Sequence, residues 1–282
     1  NCTMLINNIG SDSLKETLTW EYDPSRYTVK PQELPLFLEW EEKKEYQIEV
    51  TIPNGSDIFP MPQFALAYPF TYGKTCTLKN VLSFKRLKTV KKVKSPPIID
   101  GELNDKVWQS LVPIANLGSN SGQLSPIEKT ETYLAHDKEN VYVAARCYES
   151  DFSNLSAQIT EHDGPTYADD NVWFFFDSNL DKETYYQLIV NSNGVAFDRS
   201  CRITQGQPTT DRAWNGPWEI KAGCEDNAWI LEMKIPKQGL EPFDGKQWGF
   251  NFRRLQTRLE NAGYWTLPFG HDPANFGIIE FD

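Results

Sequence analysis

The segment Asn171-Val172-Trp173-Phe174-Phe175-Phe176 is apolar after its first residue and stands between two aspartates, Asp170 and Asp177. A strand covered on one face alternates apolar and polar residues, because successive side chains point to opposite sides. An unbroken apolar run instead describes a strand covered on both faces. A chain holding such a strand must supply cover on two sides. Val141–Arg146, Tyr185–Val190, Trp229–Ile235, Gln247–Arg254 and Phe276–Phe281 read as further strands, with turn formers at Asn191-Ser192-Asn193-Gly194 and a stop at Pro236. One short helix is predicted over Leu103 to Leu111, with Asn104 or Asp105 as its cap. So many strands and so little helix predict a two-sheet jelly roll over residues 98–282.

Residues 1–84 carry short alternating runs, clearest at Tyr46-Gln47-Ile48-Glu49-Val50-Thr51-Ile52, separated by Asn8–Ser13, Asp23-Pro24-Ser25 and Pro53–Ser56. Strands at this spacing predict a small immunoglobulin-like β-sandwich. Residues 85–97 hold Lys85, Arg86, Lys88, Lys91, Lys92 and Lys94, followed by Ser95-Pro96-Pro97. They read as a solvated edge strand leading into a stiff linker; a docking site for an anionic partner is the other reading. The expected fold class is therefore all-β, an immunoglobulin-like sandwich followed by a jelly roll. Two domains also suit 282 residues.

A formal net charge of −11 repels a phosphate backbone, so nucleic acid is excluded as a partner and acidic membranes are disfavoured. A neutral polysaccharide is compatible with it. No apolar run approaches the roughly 20 residues of a membrane helix, so membrane insertion is not expected. The five Cys have no C-x-x-C spacing, which excludes zinc ribbons and thioredoxin-like motifs; Cys201 and Cys224 either pair across strands or stand as single thiols. The chain starts at Asn1 without Met, which is read as a removed signal or an excised piece of a longer protein, and the expected location is secreted or cell-surface/periplasmic. Asn1-Cys2-Thr3, Asn54-Gly55-Ser56 and Asn154-Leu155-Ser156 match the glycosylation acceptor pattern. No G-x-S-x-G, H-E-x-x-H or phosphate loop is present, so the chain is not read as an enzyme. Asp170 and Glu219 are imaginable as a carboxylate pair, but nothing marks them above the other acids.

The run from Ile98 through Asp100-Gly101 to Trp108 resembles the opening of family 9 carbohydrate-binding modules. Ala135–Val143, Asp170–Asp177, Gln187–Asn191, Trp248–Asn251 and His271–Gly277 resemble later segments of that family, in its order, and together they span residues 96–282. The resemblance implies a jelly roll that binds a poly- or oligosaccharide between two aromatic rings, often with structural calcium, as a non-catalytic accessory to a catalytic module in the same longer protein. Sugar rings present flat C–H faces that stack on aromatic planes, while polar side chains satisfy their hydroxyls. Carried over by position, the first clamp aromatic falls at Tyr167 and the hydrogen-bonding Asn at Asn191. The family's sugar-binding Glu falls at Trp173, its Arg at Ile189, and its second clamp Trp near Gly270. With those positions changed, either the cleft is rebuilt for another ligand or the fold persists as a structural or protein–protein module without sugar binding.

Other candidates come from the residues themselves. Trp214 and Trp218 flank Asn215-Gly216-Pro217 in a loop and offer a replacement sugar platform, with Trp218 packed inward as the competing reading. Trp265 is a further candidate ring, with a core position as its alternative. His271 stands where the family has a polar residue near its cleft. Asp177, Asn179 and Asp181 alternate oxygen donors as part of a calcium loop does, or form a solvated turn.

Overall fold

The computed structural model describes residues 2–10, 12–52, 58–70 and 74–282. The triplet at Asn54 and the Asn1 of the first glycosylation triplet lie outside them. Two compact units are present, Asn1–Ser83 with Ser121–Gln123, and Phe84–Asn120 with Leu124–Asp282. No helix among the described residues is long and apolar enough to cross a membrane.

The first unit has a three-stranded sheet in the order β1 (Cys2–Asn7), β5 (Lys43–Thr51), β3 (Thr28–Lys30). Its second sheet runs β4 (Glu33–Leu38), β2 (Leu14–Glu21), β6 (Gln63–Phe70), β7 (Lys74–Val81). Alternation decides what is buried. Leu34, Leu36 and Leu38 turn inward from β4 while Phe37 turns out. With Leu14, Leu18 and Leu66 they form one apolar layer, against which Met4, Ile6 and Tyr46 of the other sheet pack.

The second unit is a curled 12-stranded sheet, in agreement with an all-β jelly-roll class. Its order is β14 (Gln207–Asp211), β13 (Ala196–Thr204), β12 (Thr184–Asn191), β11 (Asn171–Asp177), β17 (Gln247–Gln256), β19 (Gly277–Phe281), β8 (Leu87–Lys92), β9 (Thr130–His136), β10 (Asn140–Tyr148), β16 (Ala228–Pro236) and β15 (Glu219–Glu225). A further strand, β18 (Asn261–Tyr264), pairs with β17. Val172, Phe174 and Phe176 point from β11 into the main core with Leu188, Val190, Phe250, Phe252, Trp229, Leu231 and Met233. Phe175 and Trp173 point the other way, into a second cluster with Tyr185, Phe276 and Phe269. The apolar run is thus covered on both faces, as its composition requires.

The stretch read as an edge strand and linker contains β8, which is not an edge. It pairs in parallel with β19 on one side and with β9 on the other. Within β8 Val90 is fully buried while Lys91 and Lys92 are exposed, so one inward residue seats a lysine-rich strand. The predicted helix shrinks to α1 (Lys106–Gln109) without a side-chain cap. Asp105 instead accepts the Ile98 N–H at 2.9 Å. All five cysteines are free thiols, Cys201 and Cys224 lying on β13 and β15 toward opposite ends of the sheet order.

The Asp-Gly…Trp run has a structural cause. Glu232 of β16 is fully buried and accepts the N–H groups of Asp100 at 3.1 Å and Gly101 at 2.7 Å on one carboxylate oxygen. Its other oxygen accepts the Trp108 indole N–H at 2.6 Å. Gly101 has φ +90°, and a Cβ there would lie 2.7 Å from the Ala222 carbonyl oxygen, so this turn requires glycine. Ile99, Leu103 and Trp108 thereby cover the outer face of β9, β10 and β16 over Tyr133, Ala135, Tyr142 and Ile230.

Candidate functional site

The outer face of β13, β12, β11 and β17 carries a strip of rings and guanidinium groups. Strand register builds it. Trp173 is opposite Ile189 on one side and Arg253 on the other, and Ile189 is opposite Phe197. One pleat away, Phe175 is opposite Gln187 and Asn251, and Gln187 is opposite Arg199. The Arg253 guanidinium lies 4.2 Å from the centroid of the partly exposed Trp173 ring. Phe269 and His271, from the segment after β18, place their rings 5.4 and 5.6 Å from Phe175. At the other end Tyr167, 50% exposed, meets Phe197 edge-on at 6.4 Å. The guanidinium groups of Arg199 and Arg212 lie 5.8 and 5.7 Å from the Phe197 ring.

His271 shares a hydrogen bond of 2.9 Å with the Tyr185 hydroxyl. Burial pushes the His271 imidazole down to about 4, with Arg199 adding to the effect, and burial pushes the Tyr185 phenol up. At neutral pH the His271 imidazole is therefore uncharged. Three donors on this face have no acceptor: Trp173 Nε1, Gln187 Nε2 and Arg253 Nε.

Of the sugar-binding candidates read from the sequence, Tyr167 and His271 present their rings to this face, and Asn191, Trp214, Trp218 and Trp265 do not. Asn191 is fully buried: its Oδ1 accepts the N–H groups of Asn193 at 3.1 Å and Val195 at 2.9 Å, and its Nδ2 donates to Asp169 at 2.9 Å. It shapes the turn after β12, with no group left for a hydroxyl. Trp265 is 1% exposed and packs on Phe250 and Phe252 between the layers, so it offers no free ring face. Trp214 packs against Tyr186 with ring centroids 4.6 Å apart and planes tilted by 35°, and Trp218 packs on Phe176 while donating its indole N–H to Asp198. Both rest against the main core, the opposite side of β12 from Tyr185 and Gln187. Trp214 and Tyr167 therefore form no common clamp.

In the turn at Asp177, Asn179 and Asp181 most side-chain oxygens are engaged within the turn itself. Asp181 accepts the N–H groups of Glu183 and Thr184, both at 2.7 Å, and the Thr184 hydroxyl. Asn179 donates its amide to Asp181 at 3.0 Å. Asp177 is buried, with Oδ2 accepting the Lys182 N–H and Oδ1 unpartnered. Burial lifts its carboxyl to about 6, partly offset by the Lys182 N–H and reinforced by Asp181. A different oxygen and nitrogen cluster escaped sequence reading: ligand atoms of His162, Asp163 and Asp198 lie within 4.8 Å of one another. Only the pairing of β13 brings Asp198 back to that loop. Arg253 and Arg199 were missed too; the signal was their place on the outward alternation of their strands.

The fold defines a two-layer β module with an aromatic outer face. The sequence matches the carbohydrate family 9 binding domain-like family over residues 99–264, and the chain belongs to that family. Among curated proteins it is 26% identical over 195 residues to endo-1,4-beta-xylanase A of Thermoanaerobacterium saccharolyticum, a match covering 65% of this chain. The chain spans 15% of that enzyme's length. Among solved structures, a candidate carbohydrate-binding protein from Bacteroides uniformis superposes with a TM-score of 0.56 at 19% identity, over 71% of this chain and all of that one. A family 9 carbohydrate-binding module from Caldicellulosiruptor kristjanssonii, in complex with cellotriose, gives a TM-score of 0.49 at 19% identity over 70% of this chain and 94% of that one.

Proposed function

We propose that residues 84–282 bind a saccharide on the outer face of β13, β12, β11 and β17, without catalysing a reaction. The observation that carries this reading is the strip from exposed Tyr167 through Phe197 to partly exposed Trp173, with polar side chains between the rings. Flat rings supply stacking surface, and Arg199, Arg212 and Arg253 supply donors for ring hydroxyls. Asp170 and Glu219 make no catalytic pair in this reading. Asp170 is buried and accepts the Ser156 and Thr257 N–H groups, while Glu219 of β15 is tied to Lys234 of β16. Membership of the family and the match to part of a xylanase support an accessory role in a longer, secreted glycan-degrading protein.

Affinity electrophoresis against soluble glycans tests the reading. Tyr167→Ala and Trp173→Ala should each weaken retention about ten-fold, the loss of roughly one stacking contact, whereas Trp214→Ala should leave it unchanged. Retention unaffected by the first two would remove this site. A scaffold without a ligand is the second reading, favoured by Phe197 at 5% exposure and by Phe269 and His271 packing over Phe175; it predicts no retention on any glycan.

A further inference from the structure

Around Trp173 the outer face holds donors that meet no acceptor. Trp173 Nε1, Gln187 Nε2 and Arg253 Nε are buried without partners on the adjacent strands β11, β12 and β17. Buried polar groups are ordinarily met by protein or ordered water, so three unmatched donors in one place mark a lack of opposite character. The charges agree. Arg199, Arg212 and Arg253 make no ion pair of 4.0 Å or less with any described carboxylate, in a chain with 39 acidic and 28 basic residues. Arg199 gives its Nε to the uncharged Gln187 at 2.5 Å. Asp177, on the same side of β11 two residues beyond Phe175, has an unpartnered Oδ1 but is fully buried. Asp272 already accepts the Ala274 N–H and the Asn275 amide.

We propose that this face selects acidic saccharides, taking the carboxylate of a hexuronic acid residue at Arg253 and Arg199 while the sugar lies along the rings from Trp173 toward Tyr167. The inference rests on the saccharide-binding reading above and narrows its ligand class. A guanidinium meets a carboxylate through two parallel N–H···O bonds. Arg253 lies over Trp173, which limits the freedom it would lose on binding. The chain's overall charge of −11 repels anions, so the attraction is local and should persist at physiological salt.

The test is isothermal calorimetry on the full 282-residue chain with oligosaccharides containing glucuronic or galacturonic acid, each paired with its own carboxyl-reduced neutral form, at about 0.15 M salt. The acidic member of a pair should bind about ten-fold more tightly. Arg253→Gln should bring the two forms level, and Arg253→Lys should keep part of the preference. Arg199→Gln provides a second variant should Arg253→Gln not fold, as judged by near-ultraviolet circular dichroism. Equal binding of acidic and reduced forms would overturn the proposal and leave saccharide binding standing. Binding of neither form would overturn both. A preference that survives in folded Arg253→Gln and Arg199→Gln proteins would overturn the assignment to this face.

Discussion

Trp108 and Glu232, 124 residues apart, are joined by an indole N–H to carboxylate bond of 2.6 Å inside the protein. The same carboxylate holds the Asp100 and Gly101 N–H groups. The family's opening Asp-Gly and its Trp thus meet at one acceptor, which makes this run a latch for the segment covering β9, β10 and β16. Glu232→Ala would leave three buried donors without an acceptor. Urea denaturation should show a loss of about 2–4 kcal/mol, with saccharide affinity of the folded fraction unchanged. A loss under about 0.5 kcal/mol, the range of ordinary surface substitutions, would mean the latch holds nothing.

Asn191 distinguishes a turn-forming role from a ligand-binding one. Asn191→Ala strands the N–H groups of Asn193 and Val195 and takes a donor from Asp169. Stability should fall by about 2–3 kcal/mol. A variant as stable as wild type that no longer binds sugar would return Asn191 to the ligand site.

Asp177 gives a pH dependence of known sign. Its folded pKa of about 6 stands above the ordinary 3.8, so its contribution is fully present below pH 3.8 and is lost as pH rises through 6. His271 acts oppositely. Its folded pKa of about 4 stands below the ordinary 6.5, so its contribution is present above pH 6.5 and is lost as pH falls toward 4. The two overlap, and a variant separates them. Relative to wild type, Asp177→Asn should gain on the order of 2 kcal/mol between pH 4 and pH 8, read from chemical denaturation at both values. A constant difference across that range would show that Asp177 titrates normally.

Period-two patterning made β11 and its two-sided cover legible, because Phe174 and Phe175 must both find apolar neighbours. Tyr167 came from the family resemblance, which put it in a loop just before β11. Patterning could not tell Trp265 from a ligand-facing ring, since that choice depends on which side of β17 the returning β18 segment crosses. Nor could it find Arg253 as a partner of Trp173, a matter of antiparallel register between strands 80 residues apart in sequence. Asn191 misled for a related reason: short polar side chains serve turns and ligands alike, and only the donors around it decide. The lysines between Lys85 and Lys94 suggested solvent on every side because Val90, the one residue that anchors β8, is inconspicuous among them.

The position of β8 sets where the module can be cut. Pairing of Leu87–Val90 with Ile278–Phe281 brings the first and last strands of the second unit side by side, so the folding unit reaches upstream and downstream of the family match at residues 99–264. A transplant of the matched span alone would lose β8 and β19 together, leaving β17 and β9 with bare edges and Val90's slot in the core empty. Grafts and expression fragments meant to carry this module intact should run from Phe84 to Asp282.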